Sequence, residues 1–291
     1  MRVALIAHRP SPTSLALAAR MWNGTPIEVL SPRDALLRLG EGDLALVRLD
    51  VRDDLGGIED GLHEVERLSD QGVRVLNAPA ALLRAHDKLL TARTLRRAGL
   101  PHPRTTLIEH HARPPDLDFP AVVKPRFGSW GREVTLCSDR HEFERTLERL
   151  SFRSWFRATG ALAQELIPPL GHDLRLIVAR GAVIGAGRRT AVPGEWRTNV
   201  ALGATVSNAS PPPVAIALAT AAAEASGLDL VGIDLLPTGP GGFSVLELNG
   251  AVDFRPAYAA QGRDIFSDAV AALSGCPRPS VEPTSAATAS A

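Results

Sequence analysis

Short apolar runs at residues 3–7, 27–30, 44–49 and 73–76 are separated by stretches long enough for helices. This alternation constrains the chain most. Runs of that length suit strands buried on both faces and are too short for helices. Parallel strands need crossovers between them, usually helical ones. Ser14 can cap a helix over 15–22, and a helix over 59–71 ends at Gly72, where a left-handed residue can stop it. Residues 1–78 are therefore expected to form an α/β lobe, a small parallel sheet covered on both faces.

A second lobe is expected over residues 79–160. Lys88 opens a helical pattern that runs to Ala98 and stops at Gly99, residues 121–125 and 133–137 read as strands, and 140–150 as a helix. Residues 161–275 are strand-rich, with runs at 162–166, 174–179, 183–187, 230–236 and 243–248, a helix over 214–226 and a closing helix over 264–273. Residues 276–291 carry little apolar mass and are expected to be a disordered tail.

Of 32 basic residues only two are lysine, Lys88 and Lys124. In so arginine-biased a chain, the surviving lysines belong where a compact ammonium on a flexible stem is required and a planar guanidinium does not fit. Nucleotide phosphates are such a place. Lys124 ends a strand, and the loop after it runs Gly128-Ser129-Trp130-Gly131-Arg132. A loop with two glycines can turn successive backbone N–H groups toward phosphate oxygens. It is not a Walker loop, since no Gly-Lys-Ser or Gly-Lys-Thr follows. The physical picture is a hairpin folding over a nucleotide; a plain glycine hairpin is the alternative.

Asp234 lies on one late strand, with Glu247 and Asn249 on the next. Period-two alternation puts Glu247 and Asn249 on one face, and a hairpin brings Asp234 to them. Two carboxylates and an amide oxygen form a hard, oxygen-only set suited to magnesium, with manganese as the alternative ion. No lysine or arginine stands between Arg197 and Arg255, so these acids are expected to need a cation. Solvated strand acids are the alternative.

Gln164-Glu165-Leu166-Ile167 leads into a loop and can offer backbone groups to an adenine edge, with an acid such as Asp173 on the ribose. Arg189 and Asn199 flank a glycine-bearing loop and suit a transferring phosphoryl group. Arg175 and Arg255 suit carboxylates, whereas Arg188 reads as a surface residue.

Acidic and basic residues balance at 32 each, which removes the electrostatic case for nucleic acid or an anionic membrane. Cys137 and Cys276 form no disulfide framework and have no zinc-like spacing. The N-terminal apolar run is too short for a signal peptide or a membrane span, and a cytoplasmic protein is expected.

In this order, from about Asn77 to about Ala272, these segments resemble the ATP-grasp ligases, and Gly-Glu-Trp-Arg-Thr-Asn at 194–199 resembles the RimK-type glutamate ligases. Lys-Pro-x-x-Gly-Ser-Trp-Gly-Arg, with Glu-Leu-Asn-x-x-x-Asp-Phe-Arg near the end, is most similar to the lysine- and arginine-biosynthesis ligases (LysX type) of the amino-group carrier pathway. The resemblance implies an ATP-grasp fold clamping ATP between two lobes. It implies that Lys88 and Lys124 hold phosphates, that Asp234, Glu247 and Asn249 are magnesium ligands, and that Asp253, Phe254 and Arg255 border the substrate. It also implies an amide-forming reaction through an acyl-phosphate. In that group 2-aminoadipate or glutamate is joined to the C-terminal glutamate of a small acidic carrier protein, and homo-oligomers are common. Two departures fall on the acceptor side: Leu202-Gly203-Ala204 stands where the family shows Arg-Gly-Gly, and Gly250-Ala251 replaces His-Thr. A ligase taking a free amino acid or peptide acceptor, and a nucleotide-binding regulatory module without catalysis, are the other readings.

Overall fold

The computed structural model describes residues 1–275; the tail expected to be disordered lies outside the described residues. The N-terminal lobe contains β1 (Val3–Ile6), α1 (Pro12–Ala18), β2 (Met21–Trp22), β3 (Thr25–Leu30), α2 (Pro32–Arg38), β4 (Leu44–Val47), α3 (Leu62–Asp70) and β5 (Arg74–Leu76). Its sheet runs β2-β3-β1-β4-β5. β1 pairs in parallel with both β3 and β4, whereas β2 is an antiparallel flap on β3. The first helix starts earlier than expected. Ser11, not Ser14, is its cap, accepting from the Ser14 N–H, and Pro12 fills the first turn with its preset φ. Trp22, expected at that helix's end, sits in β2 after Arg20. The same Ser-Pro signature at Ser31-Pro32 opens α2, which periodicity alone did not show.

Next come α4 (Pro79–His86), α5 (Lys88–Arg97), β6 (Thr105–Ile108), β7 (Ala121–Pro125), β8 (Thr135–Cys137), α6 (Arg140–Leu150), α7 (Ser154–Thr159) and β9 (Ala161–Glu165). The chain then forms β10 (His172–Ala179), β11 (Ala182–Thr190), β12 (Thr205–Asn208), α8 (Pro213–Ser226), β13 (Leu230–Gly239), β14 (Gly242–Asn249) and α9 (Ile265–Ser274). Two further sheets result, in the orders β6-β9-β7-β8 and β12-β11-β10-β13-β14. Both are antiparallel throughout.

Packing divides the chain differently from its strand pattern. One core joins a face of the N-terminal sheet (Ala4, Ile6, Val47) to α4, α8 and Leu176, Ile233 and Leu248 of the large antiparallel sheet. A second joins the other face (Val3, Leu5, Leu46) to Ile177, Leu230 and α9. A third, built on Val123, Phe143, Trp155 and Ala163, belongs to the small sheet alone save for one intruder, Leu55. The expected boundary at 160/161 therefore fails: β9 hydrogen-bonds to β6 and β7 and completes the small sheet. Nor does one lobe hold both lysines. Lys88 opens α5, whose Leu95 lies in the first core, while Lys124 lies on β7.

Leu55 comes from the N-terminal lobe, in a loop closed by a Val51–Ile58 bridge. It is 4% exposed, with φ at 61°, a conformation that strains a leucine. Its burial under the small sheet offsets that strain, and it straps the N-terminal lobe to the lobe bearing Lys124. Among the described residues no helix is long and apolar enough to cross a membrane.

Candidate active site

β7 is buried along its length, so Lys124 is brought inside by its own strand. Its Nζ donates to Gln164 Oε1 at 2.6 Å, and Gln164 Nε2 donates in turn to Thr105 Oγ1 at 2.8 Å. Burial, with Lys88 nearby and only partly countered by Glu247, lowers Lys124 to a pKa of about 8. Lys88 reaches the same space from the start of α5, with Nζ 2.8 Å from Glu247 Oε1 and a hydrogen bond to the Gly128 carbonyl. The two ammonium groups thus share one cavity, and Lys88 is tied to the segment after Lys124 by its N–H to the Arg126 carbonyl at 3.1 Å.

Between β7 and β8 the loop folds over that cavity. Gly131 has φ +73°, and a Cβ there would meet Asn199 Oδ1 at 2.8 Å, so only glycine fits. Trp130 is 60% exposed with φ at 61°. The loop is tied on both sides: Arg132 donates to the Asp53 carbonyl at 2.7 Å, and Arg197 to the Gly131 carbonyl at 3.1 Å. Arg197 is itself held by Glu195 through contacts of 2.9 and 2.8 Å, which bring the Glu195 carboxyl down to about 2. Arg197 and Glu195 were not singled out in the sequence; Gly-Glu-Trp-Arg was their only trace.

The large sheet supplies a row of charge. Asp173 faces Arg189 across β10–β11, and Arg175 faces Asp234 across β10–β13. Arg175 grips Asp234 with two 2.7 Å bonds. Arg189, 3% exposed, donates to both Asp173 oxygens, through Nε at 2.7 Å and again through Nη2, which also reaches Asp234 Oδ2 at 2.8 Å. Thr198 Oγ1 donates to Asp173 at 2.6 Å. Burial alone would push the Asp234 carboxyl up, but the two guanidiniums outweigh it and hold it well below the usual range. The expectation that these acids lack nearby cations is corrected: the compensation comes from β10, β11 and α5. Arg188, by contrast, points to solvent as expected.

Asp234 pairs with Glu247 and Gly232 with Asn249 across β13–β14, so all three expected metal ligands share one face. Among the described residues no group of three or more His, Cys, Asp or Glu suits a metal, so a site at these positions would need the Asn249 amide oxygen beside the two carboxylates. That amide has a buried nitrogen without a partner, and Glu247 has one oxygen free of Lys88. The all-oxygen chemistry fits a hard divalent ion, with Asp234 the most heavily engaged of the three.

Two cavities meet here. The first, about 1020 Å³ including its mouth, is lined by Lys88, Lys124, residues 128–132, residues 164–167, Asp173, Arg189, Asn199, Asp234 and Glu247. The second, about 1330 Å³, is lined by Arg175, Asn249, Asp253, Phe254 and Arg255 among others. They share Ser129, Trp130, Arg189, Asn199 and Glu247. Two expected roles change. Asp173 is fully buried behind Arg189 with its oxygens occupied, and so it supports that arginine instead of meeting a ribose. Gln164 pairs with both Thr105 and Val122 in the sheet, and among residues 164–167 only Leu166 and Ile167 lie past the strand end with backbone not engaged in it. Phe254, 2% exposed, stacks on Phe266 at 5.2 Å and anchors the wall it lends to the second cavity.

Residues 85–273 match the profile of the RimK-like ATP-grasp domain. A probable alpha-L-glutamate ligase of Aeromonas salmonicida is 34% identical over 196 residues, 65% of this chain and 64% of that protein's length. The glutamate--LysW ligase ArgX of Sulfurisphaera tokodaii is 30% identical over 222 residues, 75% of this chain and 76% of the relative. The crystal structure of a RimK domain ATP-grasp protein from Sphaerobacter thermophilus superposes with a TM-score of 0.66 at 23% identity, covering 95% of this chain and 99% of that one. The fold is the ATP-grasp fold, and the chain belongs to the RimK-like ATP-grasp family.

Proposed function

We propose that this protein is an ATP-dependent carboxylate–amine ligase. A substrate carboxylate attacks the γ-phosphate of ATP, releasing ADP and forming an acyl-phosphate. An amine then attacks the acyl carbon, forming the amide and expelling phosphate. The observation that carries this reading is the junction of the two cavities at Arg189, Asn199 and Glu247, which gives nucleotide and acceptor a common wall.

Lys88 and Lys124 hold the triphosphate in the cavity they share. The 128–132 loop, pinned by Arg132 and Arg197, closes over the phosphates and excludes the water that would hydrolyse an acyl-phosphate. Arg189, locked by Asp173 and Asp234, presents a preset charge to the transferring group and needs no reorganisation as the reaction proceeds. Asn199, beside Gly131, sets the spacing between loop and phosphoryl group. Asp234, Glu247 and Asn249 would hold magnesium, which when bound supplies charge neutralisation to the β- and γ-phosphates.

The substrates we propose are an amino acid of the glutamate or 2-aminoadipate type and the C-terminal glutamate of a small acidic carrier protein. The ArgX relative, named for joining glutamate to LysW, supports this pairing. Gly250-Ala251 and Leu202-Gly203-Ala204 on the acceptor side favour a second reading, with a free amino acid or peptide as acceptor. Incubation with ATP, magnesium and glutamate or 2-aminoadipate, against a carrier protein or glutamate-ended peptides, tests both. ADP release with a product at the summed mass less water supports the ligase. No ADP release under any pairing would leave a nucleotide-binding module instead.

A further inference from the structure

The N-terminal sheet has a crevice that the mechanism above does not use. In the order β3-β1-β4, the chain leaves β1 for one side and later returns to the other, so the connections after β1 and β4 part company between those strands. In open α/β sheets ligands settle in the crevice outside the strands' carboxyl ends at such a point. Arg48 and Asp50 directly follow β4, and Ser11 and Ser14 follow β1.

Arg48 is 4% exposed. Its Nε donates to Ser14 Oγ at 3.0 Å, and its Nη2 to the Val252 carbonyl at 2.9 Å and to Asp253 Oδ1 at 3.3 Å. Its Nη1 has no partner among the described residues. This buried guanidinium has the carboxylates of Asp253 and Asp50 nearby, yet the two N–H groups of Nη1 are unsatisfied and free to take a further acceptor. Asp50 offers the opposite charge. Its nearest basic neighbour is His86, at 3.7 Å, whose burial disfavours protonation. Asp50 and Asp253 both border this crevice and the acceptor cavity.

Resting on the ligase reading, we propose that this crevice binds the amino substrate as a free zwitterionic amino acid. Arg48 takes its carboxylate. Asp50 and Asp253 take its ammonium group, at the edge of the cavity that ends on Arg189 and Asn199. The N-terminal lobe is thereby the part that selects the amine.

The test is calorimetry on the full chain loaded with magnesium and a non-hydrolysable ATP analogue, titrated with the free L-amino acids and L-2-aminoadipate. The best binder is then measured on Asp50→Asn, Arg48→Lys and Arg48→Gln. Asp50→Asn changes a half-exposed side chain and should fold even if the buried arginine cannot be replaced. We expect at least tenfold weaker amino-acid binding in Asp50→Asn and in each arginine variant that folds, with analogue affinity unchanged. For a glutamate binder, removing the amino group (glutarate) or the α-carboxylate (4-aminobutyrate) should cost as much. Equal binding to wild type and variants overturns the proposal, as does a nucleotide-loaded wild type that binds no amino acid; neither result touches the ligase reading. A wild type that binds no ATP analogue would overturn the ligase reading first, and the proposal with it.

Discussion

Asp173→Asn distinguishes a ribose ligand from the support beneath Arg189. The side chain is fully buried and receives three hydrogen bonds, two from Arg189 and one from Thr198. Asparagine keeps one acceptor and turns an N–H₂ group toward a donor. Removing one partner of a buried ion pair costs about 3–5 kcal/mol. Asp234 still holds Arg189 from the other side, which places the expected loss near the lower end, about 3 kcal/mol. For a chain of this size that is a fall in Tm of roughly 6–12 °C. The fork of Arg189 would no longer be fixed where charge develops, and loss of one preorganised donor typically lowers kcat by about 100-fold. The KM for ATP should stay within about threefold, because Asp173 touches no nucleotide. ADP release at varied ATP, with a thermal melt of the same samples, reads all three quantities. A KM for ATP raised roughly tenfold at unchanged kcat and Tm would show that Asp173 meets the ribose and refute this account.

Further outcomes are expected at three residues. Lys124→Arg should remain folded yet lose most ATP-dependent activity, since a fork cannot occupy the slot against Gln164; in wild type, free Lys124 at about 8 predicts that ATP affinity weakens as pH rises above that value, measured by titration from pH 7 to 9. His102 is half-buried, donates Nδ1–H to the Val245 carbonyl at 2.7 Å and is pushed by desolvation down to about 4, below its unfolded value near 6.5. The unfolded state therefore binds the extra proton first, and stability should fall by up to about 3 kcal/mol from pH 6.5 to 4, a slope that His102→Gln should flatten in urea titrations. Leu55→Ala should cost about 2–4 kcal/mol by leaving a void under the small sheet and should raise the KM for ATP by loosening the loop tied through Asp53, whereas Leu55→Met should restore both.

Much of the nucleotide side was legible because its signals are local. Residues 121–125 and 140–150 form the strand and helix that their patterns dictate, and the loop between β7 and β8 carries its own glycines. The arrangement behind Arg189 was harder to see, though part of it was written in the Arg180-Gly181 turn. Both residues have positive φ, and the two-residue hairpin, with one bulge, sets Asp173 opposite Arg189. The Arg175–Asp234 pair joins residues 59 apart through strands that are not consecutive, and alternation cannot register those. The lobe boundary was misplaced for a similar reason: β9 inserts between β6 and β7, and local pattern carries no record of which sheet receives a strand. Leu55 was invisible because a lone leucine among aspartates and glycines reads as an exposed turn.

Product analysis tests the central claim most directly. With ATP, magnesium and a productive amine–carboxylate pair, each amide formed should be matched by one ADP and one phosphate, and the product should weigh the sum of its parts less one water. AMP and pyrophosphate in their place, or nucleotide hydrolysis without any condensed product, would contradict a cleft built to make an acyl-phosphate and deliver it to an amine.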